Sequence, residues 1–343
     1  MYLLGWVLSL YLVLLRGNDS ECPAPITQDD RRLYPKSFRF VQYNAEWLFI
    51  DYCSSADCPG EGCPWGNQSE AQTHLQYVKD VIHLLDPDII NICEVEGCDE
   101  LNLLVEDYPE YNPYLIKGAD TSTGQNVGML TKIDPVRPLY RTEERVTYPI
   151  PHSTCGYMGV PTTTGVSKHY ITEMVIEDIH IAIIGAHLIA YPTDVQRCAQ
   201  REAQAQVLQN VIVQYIKKGY EIIVSGDLND FDGVTLDANN NRPLSSVLEI
   251  FKGSAGLHNN TYELYSVSNY MDKSTIYSDW WDKNGDCKSA TTEFSMIDHI
   301  LVSKPLYDNI QQVFMYQKYT EYCGTYNSDH YPVVVDFIVG VEN

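Results

Sequence analysis

Six short apolar runs in this chain each stop at, or start from, a cluster of polar and titratable residues. No other feature of the sequence constrains the fold as strongly. The segments are Val41-Gln-Tyr-Asn44-Ala-Glu46, Ile89-Ile-Asn-Ile-Cys93-Glu94-Val95, Ile183-Ile-Gly-Ala-His187-Leu188, Val224-Ser-Gly-Asp227-Leu-Asn229-Asp230, Ser295-Met-Ile-Asp298-His299-Ile-Leu-Val302 and Ser328-Asp329-His330-Tyr-Pro332. Short apolar runs bounded by polar or turn residues read as buried β-strands, here over 38–43, 88–93, 127–131, 180–186, 221–225, 297–302 and 333–339. Each segment alone has a plain reading, as a solvated turn, a satisfied histidine or a polar strand end.

Helical periodicity occurs twice. Ser69-Glu-Ala-Gln72 has the form of a capping box. Leu75, Val78, Ile82 and Leu85 then recur at spacings of three and four until Asp86-Pro87, the stripe of an amphipathic helix. A long helix is predicted over 195–218, with Val207, Val211 and Ile216 on one side. Short mixed strands with two clear helices point to layered α/β architecture. Residues 18–36 read as a leader and 37–340 as one domain, with a Cys-rich loop insertion at 51–68.

Met1 to Leu15 is almost wholly apolar and is ended by Arg16, Gly17, Asn18 and Asp19. That is short of the roughly 20 residues of a membrane span and suits a signal peptide over 1–17; an uncleaved anchor is the alternative, and no stable insertion of the remaining chain is expected. Ten Cys behind such a leader imply disulfides and a secreted chain. Cys287–Cys323 is one expected pair, and Cys53, Cys58 and Cys63 are expected to be partly bridged, their spacing being wrong for zinc. Sequons at Asn18, Asn67 and Asn259 fit a secreted glycoprotein. The net charge of −23 excludes a general nucleic-acid-coating role and repels anionic membranes, although a bound cation can reverse the field inside a cleft.

Taken together and in this order, the six segments resemble the endonuclease/exonuclease/phosphatase superfamily, as does Gly124-Gln-Asn-Val-Gly-Met-Leu130. The resemblance spans about residues 38–338. It implies a four-layer α/β sandwich, two mixed β-sheets packed face to face with helices outside and the cleft at one end. It also implies a divalent-metal-dependent hydrolase acting on a phosphodiester, nucleic acid or nucleotide. Hydrolysing an anionic phosphodiester needs a cation on the phosphate, an activated water and help for the leaving alkoxide. The resemblance makes Glu94 the principal ligand of Mg²⁺ or Mn²⁺, with Glu46 and Asp329 as further ligands. Asn44 and Asn126 would bind substrate. Asp227 would orient or deprotonate water, Asn229 would donate to a phosphate oxygen, and His330, held by Asp298, would face the phosphate opposite His187.

Departures from the family pattern carry information too. Glu46 and Glu96 stand where duplex-nicking members have Arg, so plain duplex DNA is expected to be a poor substrate. Cys93 replaces the family Gln before the metal Glu. A secreted sphingomyelinase-like or other phospholipid or sugar-phosphate hydrolase is the alternative, which should carry an exposed apolar hairpin near the cleft; none stands out in the sequence. A non-catalytic binding module on the same fold is the other. Asp282-Lys-Asn284-Gly-Asp286 with Glu293 imitates a calcium loop, although Cys287 stands where that loop needs Gly. Tyr277, Trp280 and Trp281 are expected either to wall the cleft or to pack in the core.

Overall fold

The computed structural model describes residues 21–22, 27–50, 63–319 and 326–340. The signal peptide over 1–17, Asn18, Cys53, Cys58, Cys323 and most of the 51–68 insertion lie outside the described residues. The described strands are β1 (Ser37–Leu48), β2 (Ile89–Val95), β3 (Asn112–Leu115), β4 (Asn126–Thr131), β5 (Val146–Tyr148), β6 (Thr162–Thr164), β7 (Lys168–Ile176), β8 (Ile179–His187), β9 (Glu221–Asp227), β10 (Leu264–Ser266), β11 (Asp279–Trp280), β12 (Phe294–Ser295), β13 (Asp298–Ser303), β14 (Ile310–Met315) and β15 (Val333–Ile338). The helices are α1 (Gln68–Leu85), α2 (Cys98–Val105), α3 (Val195–Lys217), α4 (Val247–Lys252) and α5 (Lys304–Asp308).

Two mixed sheets form, in the orders β14-β15-β1-β2-β4-β3 and β10-β13-β9-β8-β7. Their facing sides share a core in which Phe38, Phe40, Ile89 and Met129 meet Ile181, Ile183, Ile223 and Ile300. Helices α1 and α2 cover the far side of the first sheet, and α3 and α4 that of the second. The fold is therefore a four-layer sandwich, as the sequence led us to expect.

Alternation along a strand fixes what lies between the sheets. On β1 the inward positions run Phe38, Phe40, Gln42, Asn44; on β2 they run Ile89, Asn91, Cys93; on β9 they run Ile223, Ser225, Asp227. These three strands thus place apolar side chains inward at one end of the sandwich and polar ones or a thiol at the other. That switch builds the cleft.

The long elements are where periodicity predicted them, with corrected ends. Helix α1 is capped by Asn67, whose side chain accepts from Glu70 N, rather than by Ser69. Glu70 reaches back to Asn67 Nδ2 and Gly66 N, so the box sits two residues earlier than Ser69-Gln72. Asn44, His187 and Asp227 lie inside strands rather than beyond their ends, and Asp298 is the first residue of β13. Strand β7 carries no clean alternation of apolar residues, since Lys168, His169 and Thr172 are buried in it, and it was missed.

Cys22 pairs with Cys98 and Cys155 with Cys198, while Cys63 and Cys287 are also disulfide-bonded. Cys93 is a free, buried thiol, so the ten cysteines are not all bridged.

Gly226 has a structural reason. A Cβ there would lie 1.8 Å from the carbonyl oxygen of Ala186, with which it pairs between β8 and β9. Gly226→Ala is expected to push the two strands apart beside Asp227, lowering stability by about 1–3 kcal/mol as an overpacking change and lowering activity as well. Chemical denaturation and turnover of the variant check this; wild-type stability would contradict the close approach.

Candidate active site

The cleft residues lie on matching rungs. In the second sheet Lys168, His187, Asp227 and Asp298 are directly paired neighbours on four adjacent strands. In the first sheet Asn44 is paired with Cys93. Two bulges then turn the chain at the cleft edge. Glu46 and Trp47 have φ of 47° and 48°, Glu94 has φ of 66°, and the strand register shifts at each place. Positive φ is uncommon for such residues and bulges re-aim side chains. Here the bulges take both residues out of the alternating pattern, turning Glu94 into the cleft toward Asn44 and Glu46 toward Asp329 N.

Glu94 is held from three sides. Oε1 accepts from Asn44 Nδ2 at 3.1 Å, and Oε2 accepts from Trp47 N at 3.0 Å and Gln125 Nε2 at 2.7 Å. Asn44 Nδ2 also donates to Asp227 Oδ2 at 3.0 Å and lies 3.4 Å from His330 Nε2. His187 Nε2 lies 3.5 Å from Asp227 Oδ2 and 3.9 Å from Glu94 Oε1. Asp227 Oδ1 accepts from Asn229 N at 2.9 Å. On the other flank, His330 Nδ1 lies 2.6 Å from Asp298 Oδ2, which also accepts from Ser278 Oγ at 2.9 Å. His330 Nε2 faces Asp329 Oδ1 at 3.7 Å and Asp279 Oδ1 at 4.0 Å.

Buried Arg201 braces the loops behind this array. It pairs with Asp230 Oδ2 at 3.0 Å and donates to the carbonyls of Ile189, Ala190, Tyr191 and Pro192. This ties the chain beyond His187 to the chain beyond Asp227, and satisfies a buried charge that would otherwise be costly.

Among the described residues, donor atoms converge within 4.8 Å in three groups: Glu94–His187–Asp227, Asp227–Asp298–His330 and Asp279–Asp329–His330. The expected Glu46–Glu94–Asp329 set is not one of them. The Glu46 bulge aims its carboxylate at Asp329 N, 3.0 Å away. Asn126 departs from its expected place as well. Its side chain accepts from Gly118 N and donates to the carbonyls of Glu96 and Gly124, so it shapes the loop, and its neighbour Gln125 reaches Glu94. Asn229 donates to the Leu188 carbonyl at 3.2 Å.

Sequence reasoning missed Gln42, Gln125, Lys168, Ser278 and Asp279. Gln42 left a signal, being a polar residue two positions before Asn44 and hence on the same strand face. Ser278 and Asp279 left none, since β11 is too short for periodicity.

The aromatic and calcium expectations resolve from contacts. Trp280 is buried, with Nε1 donating to Glu293 Oε2 at 3.0 Å, and Tyr277 stacks on Phe294. Trp280 packs inside and Tyr277 is half-buried, whereas Trp281 is exposed. The oxygens of Asp282 accept from the backbone amides of Gly285, Asp286 and Cys287. Glu293 is taken by Trp280 and Ala290 N, so the loop donors do not converge as a calcium loop requires.

The electrostatics divide the two histidines. Burial would depress His330, but the Asp298 and Asp329 carboxylates outweigh it and hold the imidazole well above its ordinary range. Burial and the charges of Lys168 and His330 hold His187 well below. Burial, with the Asp298 carboxylate next, pushes Asp227 up to about 8. Burial pushes Asp329 up to about 7, with Asp279 and Glu94 adding repulsion. Burial, Asp329 and Glu94 raise Glu46 well above normal. So many buried carboxylates with so few cations suit a divalent ion bound among oxygen donors. Asp329 Oδ1, buried without a hydrogen-bond partner, fits the same demand.

Comparison with known proteins follows this geometry. Residues 42–316 match the model of the Endonuclease/Exonuclease/phosphatase family. The chain belongs to that family. No curated protein matches it by sequence. Solved structures of the same fold include an AP endonuclease from Archaeoglobus fulgidus, with TM-score 0.57 and 11% identity, over 88% of this chain and 99% of that one. A 3'-5' exonuclease from Neisseria meningitidis gives TM-score 0.54 and 12% identity, over 88% and 99%. Truncated Caenorhabditis elegans TDP2 gives 0.53 and 15%, over 90% and 100%. Members of the family are hydrolases of phosphoesters, and the acidic and histidine groups of this chain suit the family's dependence on divalent metal.

Two predictions follow from the charges and contacts. Asp227 and His330 are raised in the fold, so each favours the folded state at low pH and loses that contribution as pH rises through its folded pKa. His187 is depressed and contributes no slope above its ordinary 6.5. Metal-free protein should therefore melt at progressively lower temperature from pH 6.5 to 8, and Mg²⁺ should remove most of the decline. A flat apo profile would contradict the charge crowding. Second, Asp298→Asn and His330→Ala should each lower kcat on the order of 10²–10⁴-fold, and the double variant should be little worse than the worse single. Strictly additive losses would separate the pair.

Proposed function

We propose that this chain is a divalent-metal-dependent phosphodiesterase of nuclease type, secreted, that cleaves a P–O bond by attack of water. The observation that carries the reading is the convergence of Asn44, Glu94, His187 and Asp227 with the Asp298–His330 pair in one cleft. Glu94 would hold the ion with help from Asp227 and Asp329. Bound Mg²⁺ or Mn²⁺ supplies charge neutralisation at the phosphate. Asp227, with Oδ1 held by Asn229 N, is placed to orient a water and take its proton. His330, kept cationic by Asp298, offers Nε2 as a donor to a phosphate oxygen. Neutral His187 can bind phosphate or pass a proton to the leaving oxygen. Asn44 fixes Glu94 and Asp227 relative to each other and to the substrate. The disulfides support an oxidising compartment, and no helix of the described residues is long and apolar enough to cross a membrane.

Glu46 and Glu96 favour a small or single-stranded phosphodiester over duplex DNA. At about 1–4 kcal/mol per close charge pair in a solvated cleft, exchanging Arg for Glu is expected to disfavour the duplex backbone. A lipid phosphodiester is the second reading, and one observation favours it. Met158 and Val160, exposed at 95% and 82%, project between β5 and β6, on a hairpin anchored by Cys155–Cys198. Gln204 joins its base at Gly165 to Ile189, two residues past His187.

Purified protein assayed with Mg²⁺ on bis-p-nitrophenyl phosphate, single-stranded DNA, RNA, plasmid and sphingomyelin vesicles distinguishes these readings. We expect hydrolysis of the small and single-stranded substrates, slow plasmid nicking, loss of turnover in chelator, and none in Glu94→Gln despite a near-normal apo melt. Full activity in excess chelator would refute the metal dependence. Turnover of sphingomyelin alone would establish the second reading.

A further inference from the structure

Gln42 is wholly buried and points between the sheets from the same face of β1 as Asn44. Its Nε2 donates to Asp298 Oδ1 at 3.0 Å. Its Oε1 accepts from Asn91 Nδ2 and from Ser225 Oγ, the latter at 3.1 Å. Two donors on one end of the amide dictate that the other end, the donor, faces the carboxylate. Asp298 is then gripped on both oxygens, by Gln42 on one and by Ser278 and His330 on the other. A carboxylate held this way fixes the imidazole it pairs with, as an outer hydrogen-bond partner does for a metal-ligating histidine.

Cys93 explains why the amide fits. Its Sγ lies 3.6 Å from Gln42 Nε2 and donates toward the Ala186 carbonyl. The family pattern places Gln at this position, and its longer side chain would compete for the space that Gln42 fills. In this chain the amide sits on β1 and the small thiol on β2.

We propose that Gln42 is a positioning residue for hydrolysis, setting Asp298 and through it His330, and that Cys93 makes the room it needs. The proposal rests on the phosphodiesterase reading for its kinetic consequence, but not for its structural one.

Three variants test it: Gln42→Ala, Gln42→Glu, and the exchange Gln42→Ala with Cys93→Gln. Gln42→Glu keeps the shape and the acceptor for Asn91 and Ser225 but turns the donor toward Asp298 into a carboxylate oxygen. It therefore decides the question even where the alanine variant folds poorly. We expect both single variants to lower kcat on bis-p-nitrophenyl phosphate by about 10–100-fold, with KM nearly unchanged. The exchange is close to volume-neutral and returns an amide from the neighbouring strand, so it should regain most of the lost kcat. The low-field proton resonance of the His330 Nδ1–H, assigned by its loss in His330→Ala, should shift or broaden in Gln42→Glu and return in the exchange variant. Unchanged kcat with an unmoved resonance in Gln42→Glu would overturn the proposal. So would an exchange variant that regains its melting temperature but not its kcat. If the wild type hydrolyses no phosphoester, the functional reading fails, while the resonance in Gln42→Glu still decides whether Gln42 sets His330.

Discussion

Everything in the cleft depends on packing carboxylates closer together, and deeper, than water would leave them. Asp227, Asp279, Asp298 and Glu46 are all buried, and burial of a charge is costly unless it is paired or coordinated. The cations near them are few: His330 inside the array and Lys168 at its edge, bonded to Gln125 and lying 3.7 Å from Asp120. Neutral donors do much of the remaining work. Asn44 serves Glu94 and Asp227, Ser278 and Gln42 serve Asp298, and backbone amides serve Glu46 and Asp227. The Glu46 amide itself donates to Asn44 Oδ1, so the same bulge both presents one carboxylate and orients the amide that holds two others. Such a site is crowded electrostatically, and a divalent cation held among these carboxylates would relieve the crowding.

The strands that hold this array were legible as short apolar runs, and the resemblance carried by the six segments supplied their arrangement as a sandwich. The runs ending at Asn44, Glu94, His187 and Asp227 name their own strands, and a side-chain period of two specifies which residues share the interior. The bulges were not legible. Nothing in Asn-Ala-Glu46 or Cys-Glu94-Val announces positive φ in residues that seldom adopt it. Without the bulges, a strict alternation would send Glu46 inward beside Asn44 and Glu94 to the helix side. The structure groups Glu94 with His187 and Asp227, and Asp329 with Asp279 and His330, while Glu46 accepts from Asp329 N. Asn126 bonds its own loop rather than Glu94 for a related reason. The motif around it marks a loop close to Glu94, but which of two neighbouring amides faces the carboxylate depends on backbone contacts at Gly118 and Glu96.

Long-range partners were the other blind spot. Ser278 and Asp279 reach the site because β11 lies against the segment carrying His330, with Trp280 N bonded to the Asp329 carbonyl and Tyr331 N to that of Ser278. A two-residue strand has no period to read. Its neighbour Trp280 was open to two readings, a cleft wall or core packing, and its indole is spent inside on Glu293. The exposed residues Met158 and Val160 were also hidden, because the stretch of small and polar residues around them gives no strand or helix pattern, and their projection follows from the disulfide and hairpin that carry them.

The low identity to solved structures of the same fold now has a physical reading. A sandwich core asks only for apolar side chains of suitable volume on alternate positions, which many sequences supply. The cleft asks for particular groups at particular rungs, but even there the demand is for a donor or an acceptor at a point in space rather than for a residue at a position. Gln42 and Cys93 illustrate this: the amide that reaches Asp298 stands on β1, and the adjacent strand β2 carries a small thiol beside it. Likewise, Glu46 and Glu96 change the charge that a substrate meets at the rim while the Asp298–His330 pair and the contacts of Glu94 remain. On the proposed reading, the bulges and loops around the rung, which carry Glu46, Glu96 and the exposed Met158 and Val160, would set substrate choice, and the paired residues of the rung would set the hydrolytic chemistry.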